Sequence, residues 1–134
     1  MRLVPLLLAI GIASCGGPDG TQLFVTDYMS PQVAEIQPMG TSGGDHASIF
    51  ASPGEYEPVS LVLRPTRSLS SVSVEVTDLA STAGSIPASR ISVRVVRPFH
   101  GEGRDVLEAP PEDWSVGGGA TEFLWATVHV PDDA

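Results

Sequence analysis

Val59-Ser60-Leu61-Val62-Leu63-Arg64 is the stretch on which the fold turns. Val59, Leu61 and Leu63 alternate with Ser60, Val62 and Arg64, so every second side chain of an extended chain falls on one apolar side. An amphipathic helix would instead repeat its apolar residues at three and four, and no run after Leu23 does so convincingly. The two-residue period recurs in Val72, Val74 and Val76, in Ile91, Val93 and Val95, and in Leu124, Ala126, Val128 and Val130. Most of these residues are β-branched, which suits a pleated surface. Residues 23–26 and 48–51 are shorter candidates.

Turn-forming clusters separate these runs at 52–54, 65–71, 81–89 and 117–119, through glycine, proline and serine. Short strands with such punctuation, and no helical run long enough to cross over between parallel strands, predict an all-β fold. The expected architecture is an antiparallel immunoglobulin-like or jelly-roll β-sandwich over residues 23–134. Residues 98–119 form the longest stretch without a pattern and are expected to be an insertion or an irregular excursion.

The chain carries 16 acidic residues against seven basic ones, all arginine, for a net charge of −9. No basic patch offers itself to a phosphate backbone, so nucleic acid is not an expected partner. Nor would such a surface be drawn to anionic lipid head groups. Fourteen glycines and 12 prolines stay below the share at which disorder becomes the better reading. The length fits one domain.

The amino terminus carries an address. Arg2 is followed by an apolar run, residues 3–12, too short for a membrane-crossing helix and interrupted by Pro5. The run closes on Ile12-Ala13-Ser14-Cys15, which resembles the lipobox of bacterial lipoproteins, where a peptidase cuts before the cysteine and the thiol carries a diacylglycerol. The resemblance implies a signal peptide over residues 1–14 and lipidation of Cys15, the sole cysteine. Stable membrane attachment takes at least two acyl chains, which a lipidated amino-terminal cysteine provides. Residues 15–22, with Gly16, Gly17, Pro18, Asp19 and Gly20, read as a flexible tether. The expected location is the bacterial cell envelope, at the outer membrane or cell surface. An ordinary secretory signal with an incidental cysteine is the plainer alternative.

Gly54-Glu55-Tyr56-Glu57-Pro58 leads directly into the 59–64 strand. Val76-Thr77-Asp78-Leu79 and Ile86-Pro87-Ala88 come next, then Ile91-Ser92-Val93-Arg94-Val95-Val96 and lastly Leu124-Trp125-Ala126-Thr127-Val128-His129-Val130-Pro131. In this order they resemble the amino-terminal sandwich domain of proteins related to glycoside hydrolase family 123 and of similar multidomain bacterial proteins. The resemblance spans residues 48–134 and is poor over 98–121. It implies a larger protein with a carboxy-terminal (β/α)-barrel that holds the catalytic Asp and Glu of a sugar hydrolysis. In that family the segment ending in Val-Pro runs on into a further strand, so the last strands of the sandwich are expected to lie beyond Ala134. An unpaired sheet edge is the corresponding expectation.

Candidate sites are few. Glu55 and Glu57 flank Tyr56, but a carboxylate pair two residues apart on one strand faces no evident cleft. A structural role is expected, with carboxylates accepting turn N–H groups and Tyr56 packing at the rim. Glu102, Asp105, Glu108, Glu112 and Asp113 gather acid in the irregular stretch without the spacing of a calcium loop, and are expected to be solvated. His46, His100 and His129 are scattered singly and lack zinc-ligand spacing, so no metal or other cofactor is expected. No serine sits in a nucleophile elbow.

Trp114, Trp125, Tyr28 and Phe99 are candidates for stacking on sugar rings. Phe123, Trp125, Thr127 and His129 share the face opposite Leu124, Ala126, Val128 and Val130. That second face is too apolar to be left simply wet: the resemblance suggests a following domain, a core position in a two-sided strand is equally open, and a glycan surface comes third, so Phe123, Trp125 and His129, with Trp114 beside them, are the candidate interdomain or glycan contacts. The expectation is a non-catalytic amino-terminal module of an exported lipoprotein that positions a carbohydrate-active domain of the same polypeptide. The alternative is a free-standing glycan- or protein-binding surface lipoprotein. A third reading, that the chain is itself an enzyme, finds no catalytic constellation to rest on.

Overall fold

The computed structural model describes residues 10–13, 20–26, 49–81, 84–99 and 104–132, and every regular element among them except one single-turn 3-10 helix is a strand. The fold is all-β with antiparallel pairing throughout.

The described residues hold nine strands in chain order: β1 (Ile10–Ala13), β2 (Gln22–Thr26), β3 (Tyr56–Arg64), β4 (Ser73–Val76), β5 (Leu79–Ser81), β6 (Gly84–Ile86), β7 (Ile91–Phe99), β8 (Arg104–Glu108) and β9 (Glu122–His129). Five of them form the main sheet, in the order β2-β3-β9-β7-β8. The pairs β1-β4 and β5-β6 stand apart from it as two short ladders.

The alternation read at Val59, Leu61 and Leu63 holds. These residues share a buried cluster with Leu124, Ala126 and Val128 of β9, Ile91 and Val95 of β7, and Val25 of β2. The covering side comes from 69–86 and 114–116, through Leu69, Val72, Leu79, Ile86, Trp114 and Val116. Leu69 and Val116 exchange both backbone hydrogen bonds, at 2.8 and 3.0 Å, and the Val72 N–H donates to Trp114 O at 2.8 Å. Two distant loops are thus zipped into one lid over the core, which keeps their polar backbone groups satisfied while their side chains are buried.

Several expectations need correction. Residues 81–89 are not a plain turn: they hold β6, which pairs with β5, and the 3-10 turn Ala88–Arg90. The 98–119 stretch is not wholly irregular, since β8 pairs with β7 from Val95↔Glu108 to Phe99↔Arg104. Residues 49–51 belong to no strand. The last apolar strand is internal to the main sheet: β9 is flanked by β3 and β7, and among the described residues the unpaired edges of this sheet are β2 and β8. Apart from these corrections, Ile10–Ala13 of the unprocessed chain is a strand registered against Ser73–Val76. Cys15 and the tether up to residue 19 lie outside the described residues.

Candidate functional site

Ser52-Pro53-Gly54-Glu55 forms a tight turn in which the Glu55 N–H donates to Ser52 O at 3.2 Å. Gly54 has φ 82°, the positive value that the third position of a type II turn requires, and proline suits the second. The Glu55 carboxylate locks the turn, Oε2 accepting from the Ser52 N–H at 2.7 Å. Two further bonds tie the turn to the far end of β9: Gly54 N–H to Val130 O at 3.0 Å and Val130 N–H to Glu55 O at 2.9 Å. The β3–β9 register therefore starts on the pair Tyr56↔His129.

This pair stacks. The Tyr56 and His129 rings lie 4.2 Å apart at 3°, and Tyr56 remains 65% exposed. Arg90 Nη1 stands 2.7 Å from His129 Nδ1. Arginine has only donors, so in this bond Nδ1 accepts and the ring proton sits on Nε2. Arg90 ends the 3-10 turn, which the Asp78 carboxylate anchors through the Ala88 N–H at 2.7 Å. Beside the stack, Ser92 of β7 and Thr127 of β9 are register partners. With Ser89 these residues line an open groove of about 260 Å³.

The groove occupies one end of the main sheet's second face. Further along the same face lie Ser60, Trp125 and Arg94 in mutual register. Beyond them Phe24, Val62 and Phe123 pack as a small separate cluster, with the Arg64 guanidinium 5.4 Å from the centre of the Phe24 ring. Across β2, β3, β7 and β9 this face carries Arg64 and Arg94 and no carboxylate. By strand parity Glu57 and Glu122 belong to the opposite face, where Glu122 pairs with Arg97.

The sequence candidates separate accordingly. His129 enters the groove, Phe123 joins the Phe24–Val62 cluster, and Trp125 lies half-buried between them. Trp114 is a core residue, 2% exposed, and its ring has no open face for a ligand, which corrects its place among the surface contacts. Pro58 is half-buried on β3, next to Thr127. Glu108, Glu112 and Asp113 are exposed. Asp105 and Phe99 belong to β8 and β7, while Tyr28, His46, His100 and Glu102 lie outside the described residues. Among the described residues no three His, Cys, Asp or Glu side chains gather as a metal site would require, and no helix is long and apolar enough to cross a membrane.

Sequence reasoning missed Arg90 and the hydroxyls of Ser89, Ser92 and Thr127 as one group. The available signal was the alternation itself, which puts Ser92 and Arg94 on the side of β7 away from Ile91 and Val93. No protein-family model matches the chain, and no curated protein matches it.

Proposed function

We propose that this chain is an exported, lipid-anchored β-sandwich acting as a non-catalytic module that holds sugar and positions a carbohydrate-active domain of the same polypeptide. The observation that carries the binding role is the groove at Tyr56, His129 and Arg90, which combines an exposed aromatic ring, a guanidinium and three hydroxyls on one rigid sheet end. An aromatic face suits the apolar side of a pyranose, and short hydroxyl side chains suit its rim. The groove is of a size for one sugar unit. The sandwich reading is supported by the lid of 69–86 and 114–116 over the main sheet, and export by the Ile12-Ala13-Ser14-Cys15 sequence.

The test is to measure glycan binding and release of reducing sugar side by side on the purified full chain. Binding without turnover supports a holding role, turnover overturns it, and absence of any glycan binding removes the groove from the account. The same groove also favours a second reading, a free-standing glycan-binding lipoprotein. Reading the coding DNA past the codon for Ala134 separates the two, because an in-frame barrel belongs only to the first.

A further inference from the structure

Arg90 is the least expected residue in the groove. A guanidinium has five N–H donors, and among the described residues the one side-chain hydrogen bond of Arg90 goes to a neutral ring nitrogen of His129. Among the described residues no carboxylate pairs with it, although the chain holds 16 acidic residues and only seven arginines. The sheet face continuing from the groove is likewise cleared of acid on four strands and carries Arg94 and Arg64. Such segregation in an acidic chain leaves a local cationic strip.

We infer that the groove takes an acidic pyranose, one bearing a carboxylate or sulfate group, with Arg90 contacting the anion and the open face of Tyr56 stacking on the ring. This rests on the sugar-binding reading and narrows it to a chemical class. The fork of a guanidinium matches two oxygens of one carboxylate or sulfate, and such charge-assisted bonds are roughly twice as strong as neutral ones. His129 holds the geometry: its ring supports Tyr56 from one side while its Nδ1 draws Arg90 to the same end. The remaining imidazole proton, on Nε2, is a further donor, and Ser89, Ser92 and Thr127 supply hydroxyls to the sugar rim. The net charge of −9 does not forbid this. Beyond about 8 Å it is screened at physiological ionic strength, whereas a contact at hydrogen-bond distance is not.

The experiment is calorimetric titration of the full chain with three oligosaccharide sets: oligogalacturonate, sulfated dextran oligomers and neutral dextran oligomers. Binding of one or both acidic sets at least about tenfold tighter than the neutral set is expected, and the preferred acidic set identifies the anion. Arg90→Gln should bring the acidic sets down to the neutral affinity, with an unchanged melting curve, because Arg90 is exposed. Tyr56→Ala should weaken acidic and neutral sets together. Arg67→Gln, in the exposed turn at the other end of β3, should change nothing. Equal affinity for neutral and acidic sets overturns the inference and leaves sugar binding standing. Acidic preference that survives Arg90→Gln overturns the role of Arg90. No binding of any set overturns both readings.

Discussion

A Cβ placed on Gly54 would stand 2.7 Å from Oδ1 of Asp132, so a side chain in the turn entering β3 fits only if the exposed Asp132 carboxylate swings aside. Gly54 is thus held by its backbone angle and by its neighbour. Gly54→Ala should lower stability by about 1–2 kcal/mol through the positive φ, with a steric part added. Asp132→Ala in that background should recover only the steric part. Urea unfolding of the parent chain and the two variants checks the division.

Trp114 is 2% exposed, and its Nε1 has no hydrogen-bond partner among the described residues. Trp114→Ala opens a cavity beneath the lid and should cost about 3–5 kcal/mol. Trp114→Phe should cost clearly less, because it also removes an unsatisfied donor whose burial costs about 1–3 kcal/mol. Thermal unfolding ranks the two variants, and equal losses would show that the indole nitrogen is not strained.

The stacked pair Tyr56–His129 should show a coupling of about 0.5–1 kcal/mol in a double-mutant cycle with alanine, read from denaturant midpoints. A coupling near zero would mean that the rings touch without supporting each other. Because Tyr56 is exposed, the single substitutions should leave the chain folded.

Lipidation is tested at Cys15. Cys15→Ser should abolish incorporation of radiolabelled palmitate in the producing cell and move the protein from the membrane fraction to the soluble one, since the acyl chains are the proposed attachment. Membrane retention of the unlabelled variant would overturn the anchor.

Much of the main sheet was legible because β3, β7 and β9 alternate apolar residues over five or more positions, and a one-residue slip would turn the whole set outward. The β5-β6 ladder was not. Its strands are three residues each, rich in serine and glycine, and their pairing is decided by Leu79 and Ile86 reaching the core. β8, Arg104-Asp105-Val106-Leu107-Glu108, alternates too little to stand out and is identified by its ladder to β7.

The groove was hidden for a different reason. His129 was visible as a member of the second face of β9 and Tyr56 as part of the turn sequence before β3. That they oppose each other depends on register, set by the Gly54–Val130 and Val130–Glu55 bonds between segments more than about 70 residues apart. Arg90 reaches them only because a 3-10 turn, which no apolar period announces, ends beside β7.

The central place of β9 has a consequence for how the chain is made. Of the described strands β9 leaves the ribosome last, yet β3 and β7 meet only through it. Until residues 122–129 emerge, the two longest ribbons have no shared neighbour, and long-range pairing of this kind closes slowly.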